Sequence, residues 1–135
     1  MIRFLTSAVF LFFCSLSVSA ETAIEGLKEI KALYEAKNFE KLIKERYSEI
    51  HKAKDDAEVE KIIGFMKKRF GNEKNLNMVL KIYEGAEKVE PVIMKNPSPN
   101  ESEDENMAVF KIKFHGKELP FNLYQMKNGK WGFHF

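Results

Sequence analysis

Apolar side chains recur along the first half of the chain at the spacing of helix faces. Over residues 22–36, Ile24, Leu27, Ile30 and Tyr34 stand three and four positions apart with Lys and Glu between them, which predicts an amphipathic helix with one buried stripe. Asn38 interrupts this run and is placed to cap a second helix, where Phe39, Leu42, Ile43, Tyr47 and Ile50 repeat the pattern. Asp55 opens a third helix with Glu58 as its capping-box partner. Its stripe is Val59, Ile62, Ile63, Met66 and Phe70, and Gly71 closes it in the manner of a C-cap. Asn72 is a cap for a fourth helix through Leu76, Val79, Leu80 and Tyr83, closing near Gly85.

At Val89 the period falls from about 3.6 residues to about 2, the signature of strands. Val89 to Lys95 reads as a strand, with Pro91 making it an edge or bulged one. Residues 96–106 hold two prolines, two serines and four acidic residues, nothing apolar, and read as an exposed loop. Ala108, Phe110, Ile112 and Phe114 then alternate with Val109, Lys111 and Lys113, a strand with one buried face. His115-Gly116 makes a tight turn into Glu118 to Met126, where Leu119, Phe121 and Leu123 face one way. Asn128-Gly129 is a hairpin signal of type I′ form, in which both central residues take positive φ. Lys130 to Phe135 is the last strand, with Trp131, Phe133 and Phe135 on one side. Helices first and a four-stranded antiparallel meander after them predict an α+β domain, three to four N-terminal helices packed on the sheet.

The N-terminal segment changes the picture of what works as a domain. Arg3 is followed by an uncharged apolar run from Phe4 to Val18 that ends in Val18-Ser19-Ala20, the small-x-small pattern of a signal-peptidase site. At about 15 residues the run is shorter than the roughly 20 that span a bilayer. The expectation is a cleavable signal peptide over 1–20, one exported domain over 21–135, periplasmic or secreted, and no stable membrane span after cleavage. Retention as an anchor is the competing reading. Cys14 is the one cysteine and departs with this leader, and Phe13 before it does not suit lipidation. The mature domain is therefore expected to hold together by burial, without a disulfide. Removing Arg3 leaves 21 basic against 20 acidic side chains, which lacks the strong basic footprint of a nucleic-acid binder.

The order of elements, the break at Ala36-Lys37-Asn38-Phe39 and the closing Asn128-Gly129-Lys130-Trp131 hairpin resemble the NTF2-like, cystatin-like α+β superfamily, in particular its small exported bacterial members without assigned activity. The resemblance implies a cone whose curved sheet and helices enclose a pocket, serving small-molecule enzymes, binding modules or dimerisation units. Enzymes of that superfamily place an Asp and a His inside the cone. Here no Asp lies in a predicted strand and His134 has no evident partner in the sequence, so the enzymatic role is in doubt.

Candidate chemistry is sparse. His51, His115 and His134 share no metal-ligand spacing, and no metal site or cofactor is expected. Asn100-x-Ser102-x-Asp104-x-Asn106 alternates oxygen ligands as calcium loops do, but it lacks the glycine, and Lys111 stands where the bidentate Glu belongs. Gln125 to Gly129 has the ends of a cystatin inhibitory loop with Lys127 in place of its apolar wedge. Lys67-Lys68-Arg69 suits the helix dipole, and an anionic surface or partner is its functional reading. The leading expectation is an exported, non-enzymatic binding or interaction domain with a small molecule or a protein as partner. Phe110, Phe121, Trp131 and Phe133 are its candidate pocket or interface residues. The alternatives are a small-molecule enzyme using His134 with Tyr124 or Tyr83 as acid and base, and a homodimer formed through the open sheet.

Overall fold

The computed structural model describes residues 20–134. The expected leader up to Ser19, with Cys14, and the terminal Phe135 lie outside the described residues. Four helices precede four strands: α1 (Ala23–Glu35), α2 (Phe39–Arg46), α3 (Asp56–Phe70), α4 (Glu73–Glu87), then β1 (Val92–Lys95), β2 (Glu103–Phe114), β3 (Lys117–Met126) and β4 (Trp131–Gly132). The strands form one antiparallel sheet in the order β1-β2-β3-β4. The α+β meander expected from the hydrophobic pattern is the fold.

The helices start where side chains satisfy their free N–H groups. Thr22 and Glu25 form a reciprocal capping box on α1, and Asn38, Asp55 and Asn72 accept from the first turns of the next three helices. α1 ends in a Schellman motif: the Asn38 N–H donates to the Leu33 carbonyl and the Lys37 N–H to the Tyr34 carbonyl. This places Lys37 in the left-handed region, at φ 55°. The predicted stripes are the buried ones. Leu27, Ile30 and Tyr34 of α1, Ile63, Met66 and Phe70 of α3, and Leu76 and Tyr83 of α4 meet Ala108, Phe110, Ile112 and Leu123 on one face of the sheet.

Five local expectations need correction. α2 stops at Arg46, because Tyr47 turns extended and pairs with Phe133 in a parallel bridge; Ile50 begins a separate 3-10 turn. α4 runs two residues past Gly85, to Glu87. Gly71 closes α3 in right-handed helical backbone, at φ −69°. β1 begins at Val92, after Pro91, which has no N–H to give a ladder. At the last hairpin only Gly129 takes positive φ, +86°, while the Gly129 N–H donates to the Met126 carbonyl, so this is a three-residue connection with Gly in the left-handed position and not type I′. His115 and Gly116 are both at positive φ, as their tight turn requires.

Two features of the last strand shape the site. β4 pairs only with Tyr124 and Gln125 of β3, and the chain then leaves the sheet to bridge Tyr47. Gly132 permits this close passage, since a Cβ there would lie 2.5 Å from the Arg46 carbonyl oxygen. The same region is stapled from the N-terminus: Arg46 donates to both Glu21 carboxylate oxygens at 2.7 and 3.0 Å, and Trp131 donates its backbone and indole N–H groups to Glu21 at 2.9 Å.

Candidate functional site

Between the helices and the departing end of the sheet lies a cavity of about 420 Å³, within the size range of small-molecule sites. α3 supplies Phe65, Arg69 and Phe70, α4 supplies Val79, Ile82 and Tyr83, and α1 supplies Tyr34. The strand side is Phe121 and Asn122 of β3 with Phe133 and His134 after β4. The walls are mostly aromatic and packed edge to face: Tyr34 meets Phe70 with ring centroids 5.3 Å apart, and Tyr83 meets Phe121 at 5.0 Å.

The polar groups on these walls are few and incompletely used. The Asn122 side-chain oxygen is buried without a hydrogen-bond partner. Burial holds the Tyr83 and Tyr34 phenols protonated to well above their ordinary value, with the Arg69 charge opposing this slightly at Tyr34. Both are neutral hydroxyls at physiological pH. Among the described residues no Asp or Glu lines the cavity.

Beside the cavity lies a polar cluster with no local sequence signature. Glu103, expected in a solvated loop, begins β2 and is 3% exposed. Its carboxylate accepts from the Ser48 hydroxyl at 2.7 Å, the Asn96 side-chain amide at 3.1 Å and the Asn100 N–H at 3.1 Å. The Ser102 hydroxyl donates to the Ser48 carbonyl, and the Ser48 N–H donates to the Phe133 carbonyl at 2.9 Å. The network thus ties the segment after α2, the β1–β2 connection and the end of the chain together. It also reaches His134, whose Nε2 lies 3.4 Å from Glu103 Oε2 and whose Nδ1 lies 4.0 Å from Glu49. Lys52 beside Glu49 holds that carboxyl below its usual range, with a smaller contribution from His134.

The residues singled out from sequence fall into three places. Phe121, Phe133, Tyr83 and His134 line the cavity together. Tyr124 lies behind them, stacked on the His134 ring at 4.1 Å. Phe110 is fully buried in the core, and Trp131 lines a separate shallow groove with Thr22, Pro91 and Ile93. His134, without an evident partner in the sequence, has three in the fold: Tyr124, Glu103 and Glu49. Asn122, Arg69 and Tyr34 are not among the candidate site residues; Arg69 carries a sequence signal in the Lys67-Lys68-Arg69 cluster and Tyr34 only as part of a helix stripe. In the loop once compared with a calcium site, the Asn100 side-chain oxygen already accepts from Ser102 and Glu103. Among the described residues no group of His, Asp and Glu is placed to hold a metal ion, and no helix is long and apolar enough to cross a membrane.

A general base needs a nitrogen within reach of substrate, and both His134 nitrogens are turned toward carboxylates. The tyrosine hydroxyls keep their protons far above neutrality. No known protein family, curated protein or solved structure matches the chain.

Proposed function

We propose that the protein is an exported binding domain that holds a small, largely apolar molecule in the cavity between α1, α3, α4 and β3, in a cone of NTF2-like form. One observation carries this reading: aromatic walls from both halves of the fold surround a cavity of about 420 Å³, with Tyr34 and Tyr83 among them. Export is supported by the leader pattern of residues 1–20. The test is mass spectrometry of small molecules extracted from protein purified out of its native compartment. A stoichiometric apolar compound is expected, and its loss in Val79→Trp, which fills the cavity from α4. Protein that is empty, and whose thermal midpoint no apolar compound raises, overturns the reading.

A second reading is acid–base catalysis, favoured by the approach of His134 to the buried Glu103 carboxylate. It requires His134 to turn a nitrogen into the cavity, away from Glu103 and Glu49. Ligand binding retained in His134→Phe supports the binding reading. Turnover of the bound compound by wild type, abolished in that variant, supports catalysis.

A further inference from the structure

Resting on the reading of the cavity as a binding site, we infer that its occupant is an apolar organic anion whose charged head pairs with Arg69 at the mouth while its ring or chain lies against Tyr34, Phe121 and Phe133.

The charges around the cavity are one-sided. Among the described residues Arg69 is the one lining residue with a permanent charge, and none of the lining residues is a carboxylate. The nearest buried carboxylate, Glu103, lies behind His134 and already accepts from Ser48, Asn96 and Asn100. Some surface cations of this chain do find carboxylates: Lys31 pairs with Glu87, Lys44 with Glu40, and Lys130 with Glu45. Among the described residues Arg69 has no ion-pair partner. Its guanidinium instead sits 5.7 Å from the Phe70 ring centre, over an aromatic wall of the cavity. That contact holds the guanidinium toward the cavity mouth, with its N–H fork available for a planar anion.

The position on α3 adds to this. Lys67, Lys68 and Arg69 occupy the last turn, so three basic side chains stand at this end of the helix. Phe65, one turn before Arg69 on the same helix, also lines the cavity and is half exposed. An apolar entrance beside a fixed cation, opening on a neutral aromatic interior, fits a molecule with an anionic end and an apolar body. A dianion or a polar sugar would leave charge or hydroxyls against Phe70, Phe121 and Ile82, which offer no hydrogen bonds.

The experiment is calorimetric titration of the purified protein at low ionic strength with two acids and their neutral amides: naphthalene carboxylate against naphthalene carboxamide, and decanoate against decanamide. The two pairs distinguish an aryl from an acyl body, and within each pair the shape is shared while the charge is removed. In at least one pair the acid is expected to bind about tenfold more tightly than the amide, the scale of one charge-assisted hydrogen bond. In Arg69→Gln, an exposed substitution that leaves the core intact, the gap is expected to close while amide affinity stays the same. Equal affinities for acid and amide in both pairs, or a gap that survives Arg69→Gln, overturn the anion assignment and leave the cavity reading standing. Failure of all four compounds to bind overturns this inference, and the cavity reading falls only if its own mass-spectrometric test fails as well.

Discussion

Replacing Glu103 with Ala tests whether this carboxylate is a structural hub or a solvated loop residue. The substitution removes the acceptor for three donors, the Ser48 hydroxyl, the Asn96 amide and the Asn100 N–H, at 2.7 to 3.1 Å. Hydrogen bonds to a charged group contribute about 1.5–3 kcal/mol each, so the gross loss is about 5–9 kcal/mol. Part of that is recovered, because the Asn100 bond is only partly buried and water can replace its acceptor. Ser48 is fully buried, as is Asn96 for the most part, and their donors would be stranded. A net cost of about 3–5 kcal/mol is expected, the range for breaking a buried charged contact from one side. For a domain of this size, stable by about 5–15 kcal/mol, that is a large fraction. Urea unfolding followed by circular dichroism measures it, with the slope held constant as the check that the unfolded reference is unchanged. Ser48→Ala alone should cost about 1–3 kcal/mol, and the double variant less than the sum, because the two groups share one bond. A loss below about 1 kcal/mol in Glu103→Ala, or strict additivity with Ser48→Ala, refutes the hub.

Three further predictions concern packing and charge. A Cβ added at Gly26 would lie 2.6 Å from the Trp131 Cβ, whereas one at Gly64 meets nothing within 4 Å. Gly26→Ala should therefore cost about 1–3 kcal/mol, while Gly64→Ala in the exposed face of α3 should gain about 0.5–1, both read by chemical denaturation; the reverse order would contradict the packing described. Glu21→Ala leaves the buried Arg46 guanidinium without its bidentate partner and should cost about 3 kcal/mol by the same assay, against under about 0.5 for an ordinary surface glutamate. Alkaline stability should fall because Tyr83 and Tyr34 are held protonated. Their folded pKa values lie above the unfolded value of about 10, so their contribution is full below about pH 10 and is lost as pH rises toward the folded values, with a slope of about 1.4 kcal/mol per pH unit for each phenol. Tyr83→Phe and Tyr34→Phe should each flatten the slope measured above about pH 10, and an unchanged slope in the double variant would remove the phenols as its cause.

The helices were legible because their periodicity is local: Leu27, Ile30 and Tyr34 need only their own helix to announce a buried face, and Asn38, Asp55 and Asn72 announce its start. The start of β2 was not, for a physical reason. Its pairing shifts between Glu103 and Met107, and a bulge of this kind breaks the alternation that marks a strand. Glu103 and Asn96 looked like solvent residues because a carboxylate or an amide has the same sequence signature whether water or protein satisfies it. What decides is the position of Ser48, 55 residues before Glu103, and no local pattern encodes that separation. Of the cavity, the aromatic wall of Phe121 and Phe133 was visible in strand alternation. Tyr34 was visible only as part of a core stripe, and Asn122 and Arg69 became wall residues only when β3 met the ends of α1 and α3.

The cavity and the buried cluster have one cause. A last strand that continued along β3 beyond Gly132 would run beside residues 117–123 and close that edge of the sheet. Instead the chain turns to Tyr47, drawn by the Phe133 N–H bond to the Arg46 carbonyl at 2.8 Å and the Ser48 N–H bond to the Phe133 carbonyl. The departure leaves Phe121 and Asn122 facing a gap, and it brings His134 between that gap and Glu103. One wall of the cavity is therefore fixed by the polar network behind it, through the same Ser48 that Glu103 holds. If the cavity binds a ligand as proposed, stability and binding are coupled through this network. A substitution that loosens Glu103 should weaken a bound ligand by freeing Phe133 and His134, even though Glu103 does not line the cavity, whereas Arg69→Gln should change affinity with no loss of stability.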